Sequence, residues 1–273
     1  MKWIPNALPV LFLITSANAT VLFNDTFSDG DRTNAALPSS GGWILAGGGT
    51  LSSTVVDGAL VSQSSSSTFA IVSAFNGHTL AAGESIILSF SVTLNFNGSA
   101  SSGSFRMGLF NSGGNFPTGD SSGTNGASPA FTDWDGYSFW SPNGDVTGQS
   151  TNIRERTDSD PVLFGTSVNS SRNSAAYTSG AFTNGPTYQG EFRLLNNGSS
   201  LTITATLGGA SQSWTDTSPS TTTFDSLAFF AGGTPIGADG SFTLDNVMVE
   251  TIPQPSSILL MAAAPAVLLR RRR

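Results

Sequence analysis

One stretch constrains the fold of this chain more than any other. From Ile86 to Phe96 every even position is apolar (Ile86, Leu88, Phe90, Val92, Leu94, Phe96), while the odd positions from Ser89 to Asn97 are Ser, Ser, Thr, Asn and Asn. A period of two is that of a β-strand, whose side chains alternate between two faces. A strand this long with one dry and one wet face needs a second layer over the dry one. The same alternation recurs at Phe105, Met107 and Leu109 around Arg106 and Gly108, and at Leu201, Ile203, Ala205 and Leu207 around Thr202, Thr204 and Thr206. Residues 68–74, 136–141, 151–156, 187–195, 224–231 and 241–250 are further candidate strands. Turn residues separate them: Gly47-Gly48-Gly49, Asn97-Gly98, Asn143-Gly144, Asn197-Gly198 and Gly208-Gly209. Asn197-Gly198 predicts a hairpin between 187–195 and 200–207. In Gly240 to Glu250, Phe242 and Leu244 share one parity and Val247 and Val249 the other, which predicts a bulge at Asp245-Asn246.

No apolar helical periodicity runs beyond one or two turns, and no repeat of the roughly 20 residues that a β-helix needs is present. The expectation is therefore all-β: one two-sheet antiparallel sandwich of the jelly-roll type, occupying residues 20–252. Long Gly/Ser/Asn loops fall at 111–130 and 165–185.

Charge narrows the function classes. Charged residues are only 11% of the 273-residue chain, and cysteine is absent. Of the 11 basic residues, Lys2 and Arg270 to Arg273 lie at the extreme ends. That leaves six arginines against all 18 acids in residues 20–252, a net charge of −12 with no lysine. Such a surface repels nucleic acid and anionic lipid. With no cysteine and a single histidine, His78, a zinc site lacks ligands.

The two ends read as addresses. Lys2, the apolar run Leu8 to Ile14, and Ala17-Asn18-Ala19 stand in the order of a secretory signal peptide over residues 1–19, with cleavage by signal peptidase after Ala19. At the other end, Pro253-Gln254-Pro255 precedes twelve apolar residues, Ile258 to Leu269, and then Arg270, Arg271, Arg272 and Arg273. As a helix those twelve span about 18 Å, against a hydrocarbon core of roughly 30 Å. This is a brief stop-transfer element, with its arginines retained on the cytoplasmic side.

Residues 253–273 resemble the PEP-CTERM sorting signal of Gram-negative bacteria: a Pro-Glu-Pro motif, a short hydrophobic helix and an arginine cluster. Gln254 stands where that family has Glu. The resemblance implies export, transient residence in the inner membrane through the C-terminal helix, and recognition by an exosortase-type transpeptidase. It places the mature domain at the cell envelope surface or outside the cell. Similar tails end some proteins labelled ice-binding. In the middle, FNDTFSDGDR at 23–32, FTLDNVMVE at 242–250, Gly136 to Phe139 and Ile153 to Arg156 are similar to secreted concanavalin A-like and laminin-G-like jelly rolls.

Catalytic signals are weak. Gly119-Asp120-Ser121-Ser122-Gly123 matches G-x-S-x-G, but it sits in a Ser/Gly loop rather than at a strand-to-helix turn. The four glutamates, Glu84, Glu155, Glu191 and Glu250, are scattered, and no E-x-D-x-x-E run of the concanavalin A-like glucanases occurs. The chain is thus expected to be non-enzymatic, a structural or weakly glycan-associated surface or matrix protein. A lectin-like carbohydrate-binding module and a polysaccharide hydrolase are the alternatives.

For a glycan site the sequence offers Trp134, Tyr137 and Trp140, aromatic rings among acidic neighbours on which sugar faces could stack. For a structural Ca²⁺ it offers Asp25, Asp29 and Asp31 near the first strand with Asp245 in the last, since jelly rolls set those strands side by side. Thr202, Thr204 and Thr206 share a strand face, but one strand is no ice-binding array.

Overall fold

The computed structural model describes residues 18–47, 51–64, 68–95, 104–121, 127–142, 150–157, 159–165, 169–176, 183–232 and 240–253. Ala17, Gln254, Pro255 and Arg270 to Arg273 lie outside them, while Ala19 and Pro253 lie within. Among the described residues no helix is long and apolar enough to cross a membrane.

Two antiparallel sheets face each other, as the alternation requires. The larger runs β13 (Ala210–Asp216), β12 (Leu201–Leu207), β11 (Thr187–Asn196), β6 (Glu84–Asn95), β15 (Gly240–Pro253), β4 (Ala59–Ser64) and β3 (Leu51–Val56). In this sheet β1 (Thr20–Asp25) also pairs with β15. The second runs β10 (Asn169–Ala176), β9 (Ser150–Arg156), β8 (Asp135–Pro142), β7 (Ser104–Asn111), β14 (Thr223–Gly232), β5 (Phe69–Thr79) and β2 (Trp43–Gly47).

The apolar positions of β6, Ile86, Leu88, Phe90, Val92 and Leu94, all point between the sheets. There they meet Phe105, Met107, Leu109, Phe229 and Phe242, with Phe90 packed edge-on to Phe229 at 4.8 Å between ring centroids. Each such side chain removed from water contributes roughly 1.5–3 kcal/mol. The predicted hairpin joins β11 to β12, with Gly198 at φ 95°. The predicted bulge is also present. The register of β15 against β6 jumps between Asp245 and Met248, and Asn246 takes φ 51°. Across β12 and β13 the exposed hydroxyls pair with one another, Thr202 with Thr215 and Thr204 with Ser213, both at 3.2 Å.

The outer face of the second sheet carries something the alternation does not announce. Ala46, Ala70, Val72, Phe110, Ala228 and Phe230 point away from the sandwich core yet are buried. They are covered by Phe131, Trp134, Leu163 and Phe164 from the flanking loops. This second core makes the strands β14 and β5 apolar on both faces, as a doubly covered strand must be.

One side chain ties those loops down. Arg156, fully buried at the end of β9, donates from Nε to the carbonyl of Trp134 (2.8 Å) and from Nη2 to that of Phe131 (2.7 Å) and to that of Asp160. Its Nη1 reaches the carbonyl of Val162 (3.0 Å). The segment Pro129–Asp133, a single 3-10 turn capped by Ser128, is thereby fixed over the sheet.

Candidate functional site

The segment between β1 and β2 is built from aspartate turns. Asp25 accepts from the Phe27 amide, Asp29 from the Asp31 amide and Asp31 from the Thr33 amide, at 2.8, 3.1 and 2.8 Å. Each carboxylate closes a turn two residues on, which is what Asp does in loops. These bonds hold the Asp29 and Asp31 carboxyls below the ordinary carboxylate range. Asp25 also accepts from Gly41 N (3.0 Å) and Trp43 Nε1 (2.9 Å), so it locks the end of the segment to its start. Gly41 is needed there, because a Cβ would lie 2.3 Å from the Phe23 ring.

This loop carries Arg32 to the open edge of β2. Arg32 Nε donates to the Ser53 carbonyl (3.0 Å) and Nη1 to the Trp43 carbonyl (2.5 Å). Its Nη1 and Nη2 grip Asp120 in a fork, at 3.2 and 2.6 Å. Asp120 Oδ1 takes a further bond from the Leu45 amide (3.0 Å). Ser121 N bonds Leu45 O (2.9 Å) and Gly47 N bonds Ser121 O (3.1 Å), which adds residue 121 to β2 as a short parallel bridge. Ser121, the serine of the G-x-S-x-G match, is therefore an edge-strand contact with its Oγ on the Ala127 carbonyl (3.2 Å), while Ser122 and Gly123 lie outside the described residues.

Between the two loops lies a groove of about 540 Å³. Ala35, Leu37, Ile44, Ala74 and Phe116 make it apolar, and the Arg32–Asp120 pair forms its polar wall. Phe116 is half-buried and stacks on Trp134, with centroids 5.7 Å apart and planes 24° apart. A site of this composition offers an aromatic and aliphatic surface to the CH faces of a sugar. The guanidinium can donate to hydroxyls, and Asp120 Oδ2, which has one partner, retains room to accept.

The residues expected to bind glycan lie elsewhere. Trp134 is fully buried, its Nε1 donating to the Asn115 carbonyl (2.7 Å), and it supports Phe116 from below. Tyr137 is fully buried in the inter-sheet core and donates its hydroxyl to Asp216 Oδ2 (2.8 Å). Burial and that carboxylate drive its pKa strongly upward. Trp140 reaches a surface cleft, but Arg106 and Arg154 lie over its ring at 3.6 and 3.8 Å from Cζ to centroid. No sugar can stack where guanidinium groups already do, so the expected aromatic platform of Trp134, Tyr137 and Trp140 does not form.

The expected calcium cluster is likewise not assembled. Asp25 and Asp29 are bonded to backbone and side-chain donors, Asn34 Nδ2 (3.0 Å) and Ser40 Oγ (3.0 Å) included. Asp245 pairs with the side chain of Asn246 (2.7 Å) on the exposed bulge. Among the described residues no three His, Asp or Glu side chains converge as metal ligands.

Nothing in the local sequence links Arg32 with Asp120, 88 residues apart. A half-hint lay in Asp120 itself, a carboxylate in an otherwise uncharged loop.

No family model and no curated protein matches this chain. Solved structures do. The metal-free carbohydrate recognition domain of Emp46p is similar over 84% of this chain and 94% of its own, at 8% identity and a TM-score of 0.54. That of Emp47p is similar over 85% and 94%, at 10% identity and a TM-score of 0.53. The CBM2 module of the evolved Dit protein of Lactobacillus casei BL23 phage J-1 is similar over 88% and 98%, at 10% identity and 0.50. These likenesses establish the fold, a two-sheet jelly-roll sandwich.

Proposed function

We propose that this chain is an exported, non-catalytic β-sandwich protein that associates with extracellular polysaccharide, and that residues 253–273 direct its sorting to the envelope surface or matrix. The observation that carries the reading is the groove at β2, where Phe116 and its aliphatic neighbours face the Arg32–Asp120 pair. Sugar recognition needs such a mixture of apolar surface and directed polar groups. Structural neighbours described as carbohydrate recognition domains and as a CBM2 module support it. Asp120 is the single carboxylate among the described groove residues, whereas glycoside hydrolysis uses two.

The ends of the sandwich fit the sorting half of the proposal. β1 begins at Thr20, beside the expected cleavage, and β15 ends at Pro253, where the tail begins. The two strands pair, Thr20 opposite Thr251, so the first residue of β1 and the last residues of β15 lie side by side. Affinity electrophoresis of the exported protein through gels cast with neutral and acidic polysaccharides tests the binding half. Retardation by at least one polymer is expected, and unaltered mobility in all of them would sink the reading.

A further inference from the structure

The larger sheet ends at β3 and the second sheet at β2, and Arg32 touches both strands. The last strand of a sheet presents backbone groups that no strand pairs, which makes it a template for a further one. Alternate residues of an antiparallel strand bond to opposite sides. In β2 the N–H and C=O groups of Trp43 and Leu45 and the N–H of Gly47 face the open side. Each of the five has a partner, and no neighbouring strand of the sheet supplies it. Trp43 N donates to the Arg32 carbonyl (2.7 Å), and the Trp43 carbonyl accepts from Arg32 Nη1 (2.5 Å). Leu45 N donates to Asp120 Oδ1 (3.0 Å), and the Leu45 carbonyl accepts from Ser121 N (2.9 Å). Gly47 N donates to the Ser121 carbonyl (3.1 Å). Groups from two loops thus stand in for a missing strand.

Arg32 serves the other sheet as well, since its Nε donates to the Ser53 carbonyl in β3 (3.0 Å). One guanidinium therefore closes the ends of both sheets, and the fork to Asp120 at 3.2 and 2.6 Å holds it in place. What lies beneath is suited to strand addition. β2 reads Trp-Ile-Leu-Ala-Gly, without a charge or a proline, and that composition pairs readily with a copy of itself. Its outward groups are also self-complementary. Two copies of β2 set antiparallel about a two-fold axis place Leu45 opposite Leu45 and Trp43 opposite Gly47, and all five groups of each copy then find partners. Lysine is a common blunting residue on exposed edges, and residues 20–252 contain none. Here the charge comes from the loops instead.

We propose that the Arg32–Asp120 pair is a guard over the open side of the sandwich, which keeps a second copy of this chain from adding to β2. The role goes beyond glycan contact and does not depend on it. Asp120 is 43% exposed, so its replacement leaves both hydrophobic cores untouched while it frees the Leu45 amide and releases the Arg32 fork.

The test is sedimentation of the full protein over a range of concentrations, comparing wild type, Asp120→Ala and the double variant Asp120→Ala with Ile44→Lys. Wild type is expected to sediment as a monomer. Asp120→Ala should form dimers with an association constant at least about tenfold above that of wild type, while its melting transition stays cooperative. Ile44 is half-buried on β2, so a lysine there sets a charge beside the opened edge and should return the double variant to monomer. Should Asp120→Ala not fold, Arg32→Gln takes its place, since it breaks the fork and the reach to β3, and its outcomes are read in the same way. A folded variant that stays monomeric would overturn the proposal, as would wild type that associates as strongly as the variant. Association that Ile44→Lys leaves unchanged would overturn it too, by placing the contact away from β2.

Discussion

Phe116 lies on Trp134 with ring centroids 5.7 Å apart and planes inclined by 24°. One ring is fully buried and the other lines the groove, so the pair joins the outer core of the second sheet to the candidate binding surface. Trp134 is in turn edge-on to Phe131 at 4.8 Å, and both of their carbonyls are held by Arg156. The groove wall therefore rests on three layers: a buried guanidinium, a buried indole and a half-buried phenyl ring.

This layering separates stability from binding. Trp134→Ala should cost about 3–5 kcal/mol in urea unfolding, the usual loss for a large buried aromatic. Phe116→Ala should cost clearly less, because the ring is only half-buried. Equal losses in the two variants would contradict the placement of Trp134 beneath Phe116.

Arg156 offers a second check on the same support. Arg156→Met keeps much of the side-chain volume but strips donors from the carbonyls of Trp134, Phe131 and Val162. Leaving buried acceptors unpaired should lower stability by about 3–5 kcal/mol. Proteolysis should then start within residues 127–165. Wild-type resistance in this segment would show that the arginine is not what secures it.

One local source of pH dependence lies at the start of β6. Glu84 Oε1 lies 2.9 Å from His78 Nε2, and Oε2 accepts from the Ala81 amide (2.9 Å). Burial opposes its ionisation, but these hydrogen bonds outweigh it and hold the carboxyl below its ordinary value of 4.5. A carboxylate with a lowered folded-state pKa stabilises above the unfolded value and loses that contribution as pH falls through the folded one. Glu84→Gln should thus lower the stability at pH 7, with the gap closing as the pH falls below 4.5 and through the lowered folded-state value. A gap that widens on acidification would reverse the sign.

Much of the sandwich is legible in the chain, because a strand with one dry face states its own orientation. Ile86 to Leu94 and Leu201 to Leu207 point as their parity requires, and the phase change at Asp245-Asn246 marks a real bulge. The short strands β1 to β4 and β13 carry no comparably clean alternation. The outer core hid for a related reason: Phe110 and Phe230 break the wet face, but only the folded loops show what covers them. The site was least legible. Trp134, Tyr137 and Trp140 are prominent in one dimension, yet burial and flanking strands decide whether a ring is free, and both depend on contacts far apart in sequence. The Asp-rich segment at 25–31 likewise reads as a metal site or as turns until its amide partners are placed.

The sorting proposal concerns the ends and is tested separately. Mass spectrometry of the exported protein should find Thr20 as the first residue and a C-terminus lacking Arg270 to Arg273. A mature chain that retains Arg273 would contradict processing by an exosortase-type enzyme.

The most direct test of glycan association compares wild type with Phe116→Ala by affinity electrophoresis in the polysaccharide that retards the wild type most. The expected result is at least about a tenfold loss of affinity, as for a central aromatic contact, with the melting transition still cooperative. Equal retardation of wild type and Phe116→Ala would place binding away from the groove, and the absence of any retardation of the wild type would contradict the account as a whole.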